Sequence, residues 1–235
     1  MRGGTREPST ERSRASRRHA LQPLWQPLAA YESIHMKIGI LGGTFDPVHY
    51  GHLMVAETCR DQLGLDQVRF MPARISPHKP DSRPADGHAR ADMVQLAVSG
   101  IPEFVVDRRE IRREGPSFTV DTLQTVRQDF PDAELFLLMG ADSLRQFLTW
   151  KEPLQIATIA KLVVCNRPGE PGLTRQQIDE WVGADIGKDV VIQPVPGVDL
   201  KASELRERAA AGQSLRFRTP RAVEAFLTQH SIYGQ

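Results

Sequence analysis

The sequence predicts a single α/β domain built on a doubly wound parallel sheet, with a small helical part at its C-terminal end. Three observations carry this prediction. Residues 37–71 read as strand, helix and strand in close succession, the pattern of a right-handed crossover between parallel strands. The stretches at 37–41 (KIGIL) and 134–139 (ELFLLM) are near-continuous apolar runs, as strands covered on both faces require. Helical and strand patterns then alternate to the end of the chain, and no internal repeat is visible.

Taken in order, the first strand covers 37–41 and is followed by Gly42 and Gly43, which permit a sharp turn and a close backbone approach to a ligand. Pro47 fixes the next step, and a helix begins near Tyr50 or Gly51 and runs to Leu63, where Gly64 supplies a C-terminal stop. Strand 67–71 follows. Residues 73–87 are a proline-punctuated loop containing Ser76-Pro77-His78-Lys79. A helix at 89–98 and a strand at 104–106 come next. Arg108, Arg109, Arg112 and Arg113 then read as a solvated basic surface, because no aromatic residues alternate with them as a nucleic-acid site would ask. The helix at 120–130 has Thr119 as its expected N-cap. The buried strand at 134–139 ends in Gly140-Ala141-Asp142, at the carboxyl edge where open α/β sheets bind ligands. A helix to 160, a strand at 161–165 closed by Asn166-Arg167-Pro168-Gly169, a helix at 174–181 and a strand at 190–193 complete the sheet. Helices at 203–211 and 220–230 form the C-terminal part.

The chain has 235 residues with 30 Lys and Arg against 29 Asp and Glu, a net charge of +1 that favours no polyanionic partner. No apolar run is long enough to cross a bilayer, and two distant cysteines suggest thiols in a reducing compartment, so a cytoplasmic location is expected. The charge is uneven. Residues 1–35 are rich in Arg, Ser and Pro without any apolar period, which predicts a disordered N-terminal extension ahead of a domain at 36–235. A transit-like peptide or an RNA-binding tail would also suit that composition, and Met36 as the natural start would explain it most simply.

The chemistry gathers at 37–53, KIGILGGTFDPVHYGHL. A helix that starts just after a strand and a glycine turn aims unpaired N–H groups and a positive dipole end at the turn, which favours phosphate. Into that place the sequence puts His49 and His52, whose imidazoles can donate to phosphate oxygens. Two histidines at this spacing would also supply half of a zinc site or stand on the surface. No second ligand pair of matching spacing is present for zinc, and surface histidines leave the preceding G-G-T-F-D-P unexplained.

G-G-T-F-D-P-V-H-Y-G-H resembles the phosphate-binding signature of the H-x-G-H nucleotidyltransferase superfamily. With S-P-H-K, S-F-T-V-D-T-L, G-A-D-S-L, W-K-E-P and N-R-P-G in that order, nearly all of 37–235 resembles bacterial nicotinate-nucleotide adenylyltransferase. The resemblance implies a Rossmann-like domain that transfers AMP from ATP to nicotinate mononucleotide, with Mg²⁺ carried on the ATP and no dedicated metal site. His49, His52, Gly43, Thr44 and Phe45 would hold the ATP phosphates, Gly140 and Asp142 would meet adenosine, and Lys79, Thr119 and Trp150 would hold the nicotinate nucleotide. The family's I-S-S-T-x-I-R run departs here to Leu200-Lys201-Ala202-Ser203-Glu204-Leu205-Arg206. Ser203 and Arg206 would keep the phosphate contacts, with Ser203 as N-cap, and Lys201 would replace a missing hydroxyl. Asp46 reads as a hydrogen-bond acceptor in the loop, not a metal ligand. Neither nucleic acid nor membrane is an expected partner, and the sequence carries no signal for oligomeric state. The alternatives are the same transfer to another acceptor, nicotinamide mononucleotide or pantetheine phosphate, or a non-catalytic nucleotide or RNA binder.

Overall fold

The computed structural model describes residues 1, 35–77, 83–166 and 173–234. The expected extension before His35, His78 and Lys79 of the S-P-H-K run, and Arg167-Pro168-Gly169 lie outside the described residues. His35–Gln235 is one compact unit.

Its elements are β1 (Lys37–Gly43), α1 (Tyr50–Leu63), β2 (Gln67–Pro72), α2 (Gly87–Ala97), β3 (Phe104–Val106), α3 (Arg109–Arg112), α4 (Thr119–Asp129), β4 (Glu134–Gly140), α5 (Ala141–Arg145), α6 (Pro153–Ile159), β5 (Lys161–Asn166), α7 (Arg175–Val182), α8 (Ala184–Gly187), β6 (Val191–Pro194), α9 (Ala202–Ala210) and α10 (Arg221–Gln229). The six strands form one sheet in the order β3-β2-β1-β4-β5-β6, and every pairing is parallel. The predicted doubly wound parallel sheet is the one observed.

Alternation along the strands divides the core in two. Leu41, Phe70, Phe136, Leu138 and Val163 pack on one face with α1, α2, α9 and α10. Ile38, Ile40, Leu135, Leu137 and Val164 pack on the other with α4, α6 and α7. Because both faces are covered, the strands read as continuous apolar runs, which is why they were visible in the sequence. Among the described residues no helix is long and apolar enough to cross a membrane.

The strand order reverses between β1 and β4. There the connections leave on opposite faces, and a crevice opens beyond the carboxyl ends of the strands. The turn that shapes it differs from expectation. Gly42 and Gly43 remain inside β1 without positive φ, and the left-handed residue is Phe45, at φ 51°. The buried loop around Asp46 and Pro47 then delivers the chain to α1.

In the basic run at 108–113, Arg112 is exposed as expected, but Arg108, Arg109 and Arg113 are not a free solvated patch. Arg109 reaches Asp107 at 2.8 Å and Asp129 at 2.9 Å, and Arg108 reaches Asp92 at 2.6 Å. Arg113 donates to the Thr122 hydroxyl at 3.0 Å, so these three guanidiniums fasten the segment around α3 to α2, α4 and the end of the sheet. Burial would raise the pKa of Asp107, but its hydrogen bonds from Arg109, with Arg69 nearby, hold it below the usual carboxylate range.

Candidate active site

Two cavities open at the switch point. The first, of about 530 Å³, is lined by Gly43, Thr44, Phe45 and Asp46 after β1, by Gly140, Ala141, Asp142 and Ser143 after β4, and by His52, Arg83, Pro84, Cys165, Ala202 and Arg206. The second, of about 330 Å³, runs towards α4 and has Ser76, Pro77, Glu110, Ser117, Thr119, Thr122 and Trp150 in its wall. Gly43, Thr44, His52, Gly140, Ser143 and Cys165 line both. Their common wall is thus the end of β1, the third residue of α1, the end of β4 with the start of α5, and the end of β5.

The first turn of α1 sets His52. Its Nδ1 accepts the backbone N–H of His49 at 3.3 Å, so in the neutral ring the proton sits on Nε2, which makes that atom a donor. The His49 ring stacks on the His52 ring with centroids 3.8 Å apart, and the Phe45 ring meets His52 edge-on at 5.0 Å. His49 itself is 3% exposed and does not line either cavity. The two histidines therefore differ. His52 faces the cavities, while His49, expected to contact phosphate in the same way, packs behind it and fixes its plane. Two glycines make room for this stack: a Cβ at Gly51 would lie 3.0 Å from the His49 ring, and one at Gly43 would lie 3.0 Å from the Phe45 ring.

Gly43, Thr44, Phe45, His52, Gly140, Asp142 and Arg206 come together as the sequence indicated, and Thr119 and Trp150 meet in the second cavity. Two expected caps move by one or two positions. Thr119 is the first residue of α4, with Phe118 at the cap, and Ser203 is the second residue of α9, with Lys201 at the cap. In neither case does the cap side chain bond the helix, so the local chemistry that would have marked the boundary is missing. Lys201 and Ser203 are exposed and line neither cavity, whereas Ala202 and Arg206, on the inner side of α9, line the first. The lysine is not brought to the place where the family's hydroxyl was expected. Lys79 lies outside the described residues.

The structure adds residues that no motif marked. Arg90 is 1% exposed and donates to the carbonyls of Ala85 at 2.8 Å, Thr44 at 2.6 Å and Ala73 at 2.7 Å, tying the β1–α1 loop to the loop after β2. Burial lowers its pKa. Glu110, also in the wall of the second cavity, accepts the Thr122 hydroxyl at 2.7 Å, and burial raises its pKa above the usual carboxylate value. Cys59 and Cys165, far apart in sequence, place their sulfurs 3.6 Å apart beneath the site.

Donors suited to phosphate at a strand switch point, next to a second, more apolar cavity with an aromatic wall, define a nucleotide-transferring enzyme, and residues 40–208 match the family described as cytidylyltransferase-like. The chain is 43% identical over 198 residues to a probable nicotinate-nucleotide adenylyltransferase of Thermomicrobium roseum, covering 84% of this chain and 91% of the relative. It is equally similar, 43% over 198 residues, to a protein of that name from Thermus thermophilus, covering 84% and 100%. The chain belongs to the cytidylyltransferase-like family, in its nicotinate-nucleotide adenylyltransferase branch. The fold also matches Plasmodium falciparum nicotinic acid mononucleotide adenylyltransferase complexed with NaAD, with a TM-score of 0.69 at 15% identity, covering 85% of this chain and 98% of that one.

Proposed function

We infer that this enzyme transfers AMP from ATP to nicotinate mononucleotide, giving deamido-NAD and releasing pyrophosphate. The observation that carries this reading is the shared wall of the two cavities, where a nucleotide phosphate in the first and an acceptor phosphate in the second would meet beside His52, Gly43 and Gly140. The names of the relatives point to the same reaction.

The step needs no protein nucleophile. An acceptor phosphate oxygen attacks the α-phosphorus of ATP, the new P–O bond forms, and the bond to the pyrophosphate oxygen breaks. The protein aligns two anions and answers the charge that shifts between them. Alignment of this kind supplies roughly 7–11 kcal/mol of a barrier. In this reading His52 Nε2–H donates to the phosphate at the reacting centre, worth about 3–4 kcal/mol for a well-placed donor, and Arg206 takes the leaving phosphates. Mg²⁺ enters as part of the ATP substrate. The nearest buried carboxylate, Asp46, already accepts from Tyr233 and Ala85, which supports a phosphate-borne ion over a protein cage. We place the enzyme in the cytoplasm, where the paired thiols of Cys59 and Cys165 would stay reduced.

Choice of acceptor belongs to the second cavity. Trp150 offers a face for the pyridine ring, and acid and amide stack equally well on it. Thr119 begins α4, and first-turn N–H groups of a helix lack intrahelical partners and favour an anion. A carboxamide would turn its NH₂ towards such a donor, leaving a buried group unpaired at about 1–3 kcal/mol, roughly a 5- to 150-fold preference for the acid. Pyrophosphate release from ATP with a panel of acceptor phosphates tests the reading. Nicotinate mononucleotide should exceed its amide by at least tenfold in kcat/KM, and Trp150→Ala should weaken both alike. Equal use of acid and amide would overturn the acceptor, and no release with any acceptor would overturn the reaction.

A further inference from the structure

Asp46 is where distant parts of the chain meet beside the first cavity. It is 5% exposed, and its Oδ1 accepts the Tyr233 hydroxyl at 2.6 Å and the Ala85 N–H at 3.2 Å. Arg206 donates to the Asp46 carbonyl at 2.7 Å and stands 3.6 Å from Oδ2. The Arg206 side chain is 40% exposed and lines the cavity. A guanidinium at such an open edge has many rotamers, and anchoring one nitrogen lowers the ordering cost of presenting the rest of the group to the cavity it lines.

We propose that Tyr233 is a positioning residue for ATP: its hydroxyl holds the Asp46 carboxylate, and Asp46 in turn holds Arg206 towards the nucleotide phosphates. The role of Arg206 rests on the adenylyl-transfer reading above. Asp46 has two oxygens with different duties. While Tyr233 and Ala85 occupy Oδ1, the carboxylate plane is fixed and Oδ2 remains at the longer distance from Arg206. Without the tyrosine hydroxyl, Oδ1 keeps one donor, and the carboxylate is free to rotate into a closer pair with the guanidinium, drawing it off the phosphates. Burial, and then the adjoining carboxylate, push the Tyr233 ionisation far up, so the hydroxyl remains a donor throughout the working pH range.

Fastening the C-terminal segment is a separate duty, carried by other bonds. Thr219 donates to the Val48 carbonyl at 2.7 Å, and the Tyr50 N–H donates to the Arg218 carbonyl at 3.1 Å. Together they tie the end of the β1–α1 loop and the first residue of α1 to residues 218–219, so loss of one hydroxyl at Tyr233 leaves the segment attached.

The test is a double-mutant cycle in the full chain on Tyr233→Phe and Arg206→Ala, read by direct titration with ATP and by steady-state rates. Tyr233→Phe should weaken ATP binding about tenfold, leave the KM for nicotinate mononucleotide within twofold and lower Tm by only a few degrees. The double variant should bind ATP no more than twofold worse than Arg206→Ala alone. If Tyr233→Phe binds ATP like the parent, or if the two losses multiply, the inference is overturned. If Tyr233→Phe does not fold, Tyr233→Met, which likewise lacks the hydroxyl and leaves the Asp46 carboxylate in place, replaces it in the same cycle with the same expected and overturning results. A parent that binds ATP but releases no pyrophosphate with nicotinate mononucleotide would sink the acceptor reading, while the titration would still decide the role of Tyr233.

Discussion

His52 is a donor because of a single backbone contact: the His49 N–H on Nδ1 leaves the proton of the neutral ring at Nε2. Removing the ring by His52→Ala should therefore lower turnover about 100-fold or more, while Tm changes little, since the side chain is only half-buried at a helix start. Turnover within threefold of the parent would exclude the assigned role. His49→Ala acts differently, because it empties the space behind His52, and it should cost stability as well as rate. Glu110 supplies the pH dependence. The groups facing it are the hydroxyls of Thr122 and Ser117, with Arg113 and Asp107 beyond, and burial outweighs them to raise its folded pKa above 4.5. The stability it contributes is thus fully present below about pH 4.5 and is lost as pH rises through the folded value. Glu110→Gln keeps the shape without the charge, so its Tm relative to the parent should climb between pH 4.5 and 8. A flat difference across that window would mean that Glu110 ionises as it does in the unfolded chain.

The loop between β1 and α1 is held by α2 as much as by its own sequence. Arg90 spends its donors on carbonyl oxygens of the two loops that frame the first cavity. Arg90→Met would leave those oxygens buried without donors at about 1–3 kcal/mol each, so a loss of about 3 kcal/mol or more is expected in denaturant unfolding, with ATP affinity falling alongside. Unfolding at the parent's denaturant concentration would contradict it. Elements with local chemistry were legible in the sequence. The β1 run, the histidine pair and the Gly64 stop were all found, because apolar period, glycine and capping act over a few residues. The caps of α4 and α9 were misplaced because Phe118 and Lys201 give no side-chain bond to mark the boundary. Arg108 and Arg109 differ from the solvated reading because Asp92 and Asp129, which receive them, arrive only through the fold. The same holds for Tyr233, which lies 187 positions from Asp46 and has no local signal at all.

At the scale of the whole molecule, the site exists because the strand order reverses between β1 and β4. A sequence announces parallel strands but not their order, so the motifs could name the residues without showing that Gly43 and Gly140 share a wall. What the compact unit contains is then the ground for the last expectation. Among the described residues, the sheet, both apolar layers and both cavities are built from residues after His35. The first strand starts at Lys37, its N–H donating to Asp66 at 2.7 Å, and the Met36 carbonyl already accepts the Glu134 N–H at 2.8 Å. Residues 2–34 are Arg- and Ser-rich, and the expectation that the enzyme works without them rests on the described elements after His35. A chain beginning at Met36 keeps every element of the sheet and every residue of the shared wall. It should melt within about 3 °C of the full chain, a difference below about 1 kcal/mol, and turn over within twofold of it. Side-by-side thermal melts and pyrophosphate-release rates decide the matter, and a clear loss in either would make the N-terminal segment part of the working enzyme.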